Sequence, residues 1–351
     1  MDFTEVIRNF FPNKKIASCV PFGNGHINST FKLSIENNSQ EYILQKINTN
    51  VFKNPYQIVQ NHFKIQNHIK TDNIEIPHLI ELTKNQYLFT DNEQNVWRMM
   101  NFIKDSYSVE IVSDEIEAYQ AGKGYGWFLN ECSGLNPRNF TEAIPDFHKL
   151  SFRINQLDEA VKLDKVSRCN SIKSTIDFYK EREQTLLKIE TLINKNEIPA
   201  RIVHNDTKIN NLLFRDKEAI AVIDLDTVGP GSVFFDYGDA LRTICNTAAE
   251  DEKDLNKVDF STTSFEKFTE GYLNQTKSIL NNKEKDFLYL APVYMTFIIG
   301  IRFLTDYLDG DNYYKTSYSE HNLVRSLVQL KMIEQMEQKV DLMKQIITNN
   351  L

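Results

Sequence analysis

One stretch, residues 203–228, constrains what this chain can fold into more than any other. It contains two apolar runs, residues 212–214 and a second run that ends at Asp224. Ahead of the first run lies a polar loop that carries His204, Asp206, Lys208 and Asn211. Short apolar runs bounded by polar residues are typical of buried strands, so we predict two core strands with polar side chains gathered at one end. The plainer alternative is a polar loop whose carboxylates only cap turns.

The spacing of these polar residues suits phosphoryl transfer. A His-x-Asp-x-x-x-x-Asn segment, followed by an Asp at the end of the next strand, is the pattern of a kinase catalytic loop. Asp206 can orient and deprotonate an attacking hydroxyl, while Asn211 and Asp224 can hold Mg²⁺ against the phosphates of ATP. Lys208 follows the candidate base by two residues and can meet the transferring phosphoryl group, or it is an ordinary surface lysine. We therefore predict a kinase that uses ATP and Mg²⁺.

A glycine-containing loop near the N-terminus is the candidate phosphate-binding loop. Gly23, Asn24 and Gly25 separate two strand-like segments, in a chain with only 12 glycines. Glycine lets backbone amides approach a phosphate, but a simple hairpin turn has the same composition, and both remain open. In the third strand Gln45 and Lys46 must point to opposite faces, so only one of them can reach a nucleotide, and the pattern does not decide which. The chain has no Walker-type Gly-x-x-x-x-Gly-Lys-Ser/Thr segment, which excludes a P-loop enzyme.

The order of the segments predicts an α+β protein with two lobes. Strand signals dominate up to about residue 103 and nearly vanish after residue 106. In the first part we predict late strands over residues 79–83, 87–90 and 96–102 and a single long helix over residues 55–70. In the second part we predict helices over residues 111–132, 174–194, 265–281, 283–307 and 321–349. We expect a small β-rich nucleotide-binding lobe over residues 1–103 and a larger, mostly helical lobe over residues 104–351, which carries the catalytic loop. In a kinase the last strand of the first lobe runs into a hinge whose backbone pairs with adenine; here that position belongs to Asn101, Phe102 and Ile103.

Two further segments have alternative interpretations. Gly122, Gly124 and Gly126 lie in a stretch with helical periodicity and could form a second phosphate loop. No strand precedes them, so close packing against a neighbouring helix is favoured. Asp236 and Asp239, in a Phe-Asp-Tyr-Gly-Asp segment, can support the metal site by holding its ligands, or cap a helix that begins near residue 240.

Composition excludes several classes of protein. The net charge of −8 argues against binding to nucleic acid through phosphate neutralisation. The N-terminus carries acids rather than the bases of a signal peptide, and the longest apolar run, residues 287–301, is interpreted as a buried helix and not as a membrane span. Four widely spaced cysteines predict free thiols in a reducing compartment. We expect a cytoplasmic protein, monomeric or weakly self-associating, whose partners are small molecules.

At several places the residues resemble a known family. The order of glycine loop, strand, helix, hinge and catalytic loop is similar to that of the aminoglycoside phosphotransferase/choline kinase group, which has a protein-kinase-like fold. Four segments are more specifically similar to the N-acetylhexosamine 1-kinases, and the similarity extends over about residues 17–320. These segments are Phe-Gly-Asn-Gly-His-Ile-Asn-Ser-Thr-Phe (22–31), Tyr-Ile-Leu-Gln-Lys-Ile-Asn (42–48), the catalytic stretch (204–231) and Ile-Arg-Phe-Leu-Thr-Asp-Tyr-Leu-Asp-Gly-Asp (301–311).

The resemblance implies ATP- and Mg²⁺-dependent phosphorylation of the anomeric hydroxyl of GlcNAc or GalNAc. By position, His26, Arg302 and Tyr313 match residues that contact the sugar in that family, beside Asp206. The alternative acceptors on the same fold are choline, homoserine or an aminoglycoside. A cationic acceptor needs clustered acids or an aromatic cage, so Arg302 favours a neutral polyol, unless Arg302 only pairs with Asp306 on its own helix. A pseudokinase is disfavoured because the base and both metal ligands are present.

Overall fold

The computed structural model describes residues 3–23, 27–70 and 74–351. Its N-terminal part comprises α1 (Thr4–Phe10), β1 (Ile16–Pro21), β2 (Ser29–Ile35), β3 (Glu41–Ile47), α2 (Pro55–His68), β4 (Phe89–Thr90) and β5 (Val96–Asn101). The strands form one antiparallel sheet in the order β1-β2-β3-β5-β4. Of the predicted site residues, Asn24, Gly25 and His26 lie outside the described residues.

The two faces of this sheet separate Gln45 from Lys46. One face packs against α1 through a cluster that includes Trp97, and the other face packs against α2. Lys46 is the cross-strand partner of Trp97, and Gln45 is the partner of Arg98. Because cross-strand partners share a face, Lys46 points to the α1 side of the sheet and Gln45 points to the opposite side. Lys46 is therefore turned away from the side on which Gln45 and Arg98 meet the catalytic half of the molecule.

The strand predicted over residues 79–83 is wrong, and the strand predicted over residues 87–90 is shorter than expected. Between residues 74 and 88 the chain makes only isolated bridges, such as that from Leu79 to Met100, and regular pairing resumes at Phe89. The apolar residues here are buried in two different clusters, Leu79 in one and Ile80 in the other. Their alternation reflects burial on two sides without a regular hydrogen-bonded ladder.

The helix α2 confirms the prediction of a single long helix in the N-terminal part. Asn54 caps it by accepting a hydrogen bond from the Gln57 amide, and Pro55 occupies the first helical position, where its missing N–H costs nothing. Its buried Asn61 donates to the carbonyl oxygen of Val228 at 2.9 Å and to that of Thr141 at 2.7 Å. The helix thus ties the N-terminal part to the loop that follows Asp224.

The remainder of the chain is mostly helical. Its elements are α3 (Glu115–Glu131), α4 (Leu150–Leu163), α5 (Lys173–Asn194), β6 (Arg201–Val203), β7 (Leu212–Arg215), β8 (Glu218–Val222), β9 (Gly229–Gly231), α6 (Val233–Ile244), α7 (Thr262–Thr276), α8 (Asn282–Phe287), α9 (Ala291–Asp309), α10 (His321–Gln338) and α11 (Val340–Asn350). The sequence did not predict α4, which packs against α9. Two stretches predicted as single helices are each broken, by a 3₁₀ turn before Ala291 and at Lys339.

The three glycines of α3 serve helix packing, as the sequence favoured. A Cβ atom on Gly122 would lie 2.0 Å from the carbonyl oxygen of Phe268, and one on Gly126 would lie 2.8 Å from that of Tyr272. Both carbonyls belong to α7, so the backbones of α3 and α7 approach within a distance that any side chain would prevent. Gly124 faces the Leu212 side chain in β7.

The apolar helix α9 lies in the core. The helical stretch Asn282–Asp309 is long and apolar enough to cross a membrane, but 78% of its most apolar window is buried inside the fold. It packs against α10, α6 and α4, as the core helix of a folded protein does. The prediction of a buried helix is confirmed, although the helical stretch is longer than the predicted apolar run.

Two small antiparallel pairs bracket the catalytic stretch. The first joins β6 to β9, and the second is the hairpin of β7 and β8. The hairpin of β7 and β8 confirms the two predicted core strands and fixes the position of Asp224. The pair of β6 and β9, which the sequence did not predict, fixes the start of the loop at 204–211.

Candidate active site

A buried carboxylate holds the start of the catalytic loop. Asp236, in the first turn of α6, accepts hydrogen bonds from the backbone amides of His204 and Asn205, both at 2.7 Å. Its own carbonyl oxygen accepts from the Thr207 hydroxyl at 2.6 Å. Burial raises the pKa of Asp236 to about 6, against the opposing effects of His204 and the two amides. Asp236 therefore does not cap α6, which begins at Val233 and not near residue 240 and is capped by Ser232. Asp239 does not cap it either and accepts a hydrogen bond from Arg242 at 3.0 Å.

His204 joins the catalytic loop to the end of β8. Its ring is fully buried, and Nε2 bonds the carbonyl oxygen of Ile223 at 2.8 Å. Its own carbonyl oxygen accepts from the Thr227 hydroxyl at 2.8 Å. The hydroxyl group of Tyr125, in α3, donates a hydrogen bond to the carbonyl oxygen of Lys208. These contacts fix the loop backbone on both sides of the candidate base.

Asp206 stands between a cation and an amide. Lys208 Nζ lies 3.0 Å from Oδ1, and Asn211 Nδ2 donates to Oδ2 at 3.1 Å and to the Asp206 carbonyl oxygen at 2.8 Å. Burial by itself raises the pKa of Asp206, but the charge of Lys208 and these hydrogen bonds outweigh it, so the net pKa is lowered. In return, Asp206 raises the pKa of Lys208. The carboxylate is thus ionised at neutral pH and able to accept a proton.

Asp224 faces the same loop. The amide of Ile223 donates to the Asn211 carbonyl oxygen at 2.9 Å, and Asp224 itself adopts a left-handed backbone conformation with φ of 58°. The residue is exposed to solvent, yet many protein atoms surround its carboxylate. Crowding by the protein, followed by the charges of Asp226 and Asp206, raises its pKa to about 7.

The arrangement of Asp206, Asn211 and Asp224 is suited to binding a hard cation. Three carboxylates act on one another here, and the Asn211 amide nitrogen is engaged with Asp206, which turns its amide oxygen away from that residue. In the described ranges no group of three or more His, Cys, Asp or Glu side chains could hold a metal alone. Mg²⁺ generally takes one or two protein ligands and completes its shell with water and phosphates, so Asn211 and Asp224 meet its need.

A charged network that the sequence did not reveal lies next to Asp224. Arg98 of β5 is 1% exposed and forms an ion pair with Asp226. Its Nε and Nη2 donate to Gln45 Oε1 at 3.0 and 2.7 Å, and Asn28 Nδ2 donates to Asp226 Oδ2 at 2.7 Å. The signal was present in the sequence as a charged residue in the middle of the apolar strand Val-Trp-Arg-Met-Met, because a buried arginine needs a partner.

The predicted hinge is partly engaged within the N-terminal part. The Phe102 amide donates to the Glu41 carbonyl oxygen at 2.9 Å, and its carbonyl oxygen accepts from Gln40 Nε2 at 3.2 Å. The Phe102 ring contacts Phe22, which precedes Gly23, and Gly23 has a positive φ of 77° with open space around it. The start of the glycine loop and the hinge are therefore neighbours, but the Phe102 amide is not free to meet a base.

Arg302 lies in the C-terminal half of α9, and Tyr313 lies in the loop that follows this helix. The Arg302 guanidinium stacks on the rings of Phe147 and Tyr314, at 5.0 and 5.8 Å. Within residues 3–23, 27–70 and 74–351, no carboxylate forms an ion pair with it. Asp306 is instead occupied by backbone amides, including that of Tyr313 at 2.8 Å, so the alternative pairing of Arg302 with Asp306 is wrong. The Tyr313 side chain is 62% exposed.

A second arginine accompanies the first. Arg153 of α4 donates from Nη2 to the Phe147 carbonyl oxygen at 3.0 Å and from Nη1 to Gln156 at 2.8 Å. Burial, and then the charge of Arg302, lower the pKa of Arg153 to about 10. Two guanidinium groups therefore lie close enough to repel each other. Nothing in the local sequence around Arg153 indicates that it lies beside Arg302.

His148 connects this arginine pair to the catalytic loop. Its Nε2 lies 2.9 Å from the Asn205 carbonyl oxygen, and its ring packs on Phe147 at 4.3 Å. The charges of both Arg302 and Asp206 act on it, while burial lowers its pKa to about 4. A cavity of about 230 Å³ adjoins these residues, with Phe147, His148 and Asn205 in its wall. Arg302 is thus two aromatic rings away from the backbone that carries Asp206.

Comparison with known proteins shows the family and the fold of the chain. A family model described as a phosphotransferase enzyme family matches residues 18–259. Among solved structures, the chain is similar to the ADP-bound aminoglycoside phosphotransferase APH(2'')-Ib, with 15% identity, a TM-score of 0.55, and coverage of 95% of this chain and 99% of that one. It is also similar to a microcompartment-associated aminopropanol kinase (12% identity, TM-score 0.58, coverage 95% and 94%) and to choline kinase from Cryptosporidium parvum Iowa II (15%, 0.55, 97% and 93%).

These likenesses to solved structures confirm the predicted fold. It is a protein-kinase-like α+β fold, with a small antiparallel sheet in the N-terminal lobe and a helical C-terminal lobe. The family model covers more than two thirds of the sequence and includes the catalytic loop and Asp224. The chain therefore belongs to the phosphotransferase enzyme family.

Proposed function

We propose that this protein transfers the γ-phosphoryl group of ATP to the anomeric hydroxyl of an N-acetylhexosamine, GlcNAc or GalNAc. The observation that carries the acceptor assignment is the pair of guanidinium groups, Arg302 and Arg153, near the catalytic loop. The use of ATP by an enzyme of this family is supported by the ADP complexes of its structural relatives.

Asp206 is the proposed base. It accepts the proton of the anomeric hydroxyl while the sugar oxygen bonds to the γ-phosphorus and the bond from that phosphorus to the bridging oxygen breaks. The products are the sugar 1-phosphate and ADP. The ring oxygen makes an anomeric hydroxyl more acidic than an ordinary alcohol, so a carboxylate of lowered pKa suffices. General-base help contributes roughly 10²–10⁴-fold, and positioning and charge supply the rest.

Asn211 and Asp224 would hold Mg²⁺. When bound, the ion offsets the negative charge of the phosphates. Around it, Asn211 keeps Asp206 oriented through its amide nitrogen, at 3.1 Å from Oδ2. Lys208, 48% exposed at its side chain, can turn from Asp206 toward the transferring phosphoryl group. We expect Asn211→Ala and Asp224→Ala each to weaken Mg²⁺ activation.

The nucleotide would lie between the two lobes, which we divide at residues 1–103 and 104–351. Gly23, with Asn24 and Gly25, would cover the phosphates, and Gln45 faces the same side. For the adenine, the backbone amide of Ile103 is a better candidate than the amides of Asn101 and Phe102, which already donate to the carbonyl oxygens of His78 and Glu41.

The acceptor site is better suited to a neutral polyol than to an amine. A cationic group held about 6 Å from the Arg302 guanidinium, which has no carboxylate partner among the described residues, would be repelled by roughly 3 kcal/mol at an effective dielectric constant of 20. Choline and aminoglycosides carry such a charge. Sugar hydroxyl and amide oxygens accept hydrogen bonds from guanidinium groups. The loop with Tyr313, anchored by Asp306, and His26 near the glycine loop would complete the contacts with the sugar.

An acceptor screen tests this proposal. ATP consumption should be measured with GlcNAc, GalNAc, choline, homoserine and an aminoglycoside under one set of conditions. We expect turnover with the hexosamines and none with the amines. Turnover with choline or an aminoglycoside and none with hexosamines would overturn the proposal. We further expect a monomeric or weakly self-associating cytoplasmic enzyme that binds small molecules.

A further inference from the structure

Asp226 follows the candidate metal ligand Asp224 by two residues, yet its contacts point in another direction. It is 3% exposed, and its partners are Arg98 through Oδ1 and Asn28 through Oδ2. Both partners belong to the N-terminal lobe, whereas Asp226 belongs to the C-terminal lobe. Both oxygens are therefore already engaged in contacts across the cleft.

The N-terminal side of this network is itself tightly connected. Gln45 receives two hydrogen bonds from Arg98 and donates to the Thr30 hydroxyl at 3.0 Å. Asn28 accepts from the Asn48 amide at 3.0 Å. Strands β2, β3 and β5 thus all contribute residues to the hydrogen-bonded network that holds Asp226.

We propose that Arg98 and Asp226 form a latch between the lobes that positions Asp224 for the metal, and that Asp226 is not itself a metal ligand. Asp224 adopts a left-handed conformation that a non-glycine residue keeps only when its surroundings impose it. The backbone around Asp224 is held on one side by the hydrogen bond from the Ile223 amide to Asn211 and on the other side by the ion pair of Asp226 with Arg98. Arg98 is a positioning residue that acts through Asp226.

The latch gives Gln45 a role as well. The face of β3 that carries Gln45 has no lysine, so the positive charge on this side of the sheet comes from Arg98 of the neighbouring strand β5. Gln45 orients the Arg98 guanidinium by accepting its two hydrogen bonds. Asn28, directly at the start of β2, extends the latch to the end of the glycine loop. Closing the lobes and ordering the metal site then depend on the same buried ion pair.

The test is the Mg²⁺ dependence of ADP affinity, measured calorimetrically with Mg²⁺ and with EDTA. It rests on the nucleotide and Mg²⁺ binding of the proposed function but not on the acceptor. Asp226→Asn and Arg98→Met should each reduce the Mg²⁺ enhancement of ADP affinity by about 10–100-fold, the usual effect of losing a residue that orients a metal ligand. ADP affinity in EDTA should change little.

The control is Glu284→Gln. Glu284 is also fully buried and pairs with an arginine, Arg201, at 2.6 Å, but it belongs to α8. This variant should keep the Mg²⁺ enhancement, which separates the latch from general destabilisation. If Arg98→Met does not fold, the double variant Arg98→Met/Asp226→Asn removes both buried charges and should also lack the enhancement.

Other results overturn the latch. If Asp226 were a metal ligand, Asp226→Asn would lose the enhancement, while Arg98→Met would free the carboxylate and keep or strengthen it. Wild-type behaviour in both variants would show that the ion pair does not position the metal site. If the wild-type protein binds ADP without any Mg²⁺ enhancement, the metal-dependent part of the proposed function fails, and the latch fails with it.

Discussion

Replacing Asp236 tests how the catalytic loop is held in place. The buried carboxylate receives two backbone hydrogen bonds of 2.7 Å, from His204 and Asn205. A hydrogen bond to a charged group contributes about 1.5–3 kcal/mol, so Asp236→Ala should lower the free energy of unfolding by roughly 3–6 kcal/mol and leave two buried amides without an acceptor. Released from these bonds, the neighbouring Asp206 would shift, and a displacement of about 1 Å costs on the order of 10² in rate.

The assay pairs urea unfolding with steady-state kinetics. Asp236→Asn is the matched variant, because its amide oxygen can still accept one of the two bonds, and it should lose less stability than Asp236→Ala. For both variants kcat should fall more than the ADP affinity does, since Asp236 touches the loop and not the nucleotide site. A value of kcat close to wild type in Asp236→Ala would refute the reasoning that these bonds position Asp206.

Three further predictions concern the base, the core and acid stability. Asp206→Asn should lower kcat by about 10²–10⁴-fold with ADP binding retained in calorimetry, and near wild-type turnover would contradict its role as base. Gly122→Ala should lower the free energy of unfolding by about 1–3 kcal/mol or more in urea titrations, because its Cβ would lie 2.0 Å from the Phe268 carbonyl oxygen; unchanged stability would contradict the close packing. Burial lowers the pKa of His62 and of His148 to about 4, so the unfolded chain takes up protons below pH 6.5 and the native protein does not until about pH 4. The free energy of unfolding is therefore not reduced by these two histidines above pH 6.5, and each should lower it by about 2 kcal/mol by pH 5. Between these pH values the His62→Gln variant should lose less of its free energy of unfolding than the wild type, and equal losses would contradict the assignment.

The sequence predicted those elements whose local pattern and burial agree. The amphipathic α2 has an Asn cap and a proline at its start, and the hairpin of β7 and β8 has short apolar runs with polar ends. The strand predicted over residues 79–83 failed because its alternation arises from two different buried clusters. The helix α4 was missed.

The candidate site was predictable where one segment carries several side chains. The loop at 204–211 brings Asp206, Lys208 and Asn211 together, because five residues of turn leave them little freedom. Arg98 and Asp226 are 128 positions apart in the sequence, and Arg153 and Arg302 are 149 positions apart. Contacts at such separations depend on how whole elements pack, and no local pattern encodes them.

The position of the phosphoryl group in the product tests the central claim most directly. An anomeric kinase must hold the whole ring so that the 1-hydroxyl faces Asp206, whereas a 6-kinase needs to reach only a primary alcohol. Phosphorus NMR of the product formed from GlcNAc or GalNAc distinguishes the two. We predict coupling of the phosphorus to the anomeric proton. Coupling to the two methylene protons at C6, or the absence of any phosphorylated hexosamine, would contradict the account.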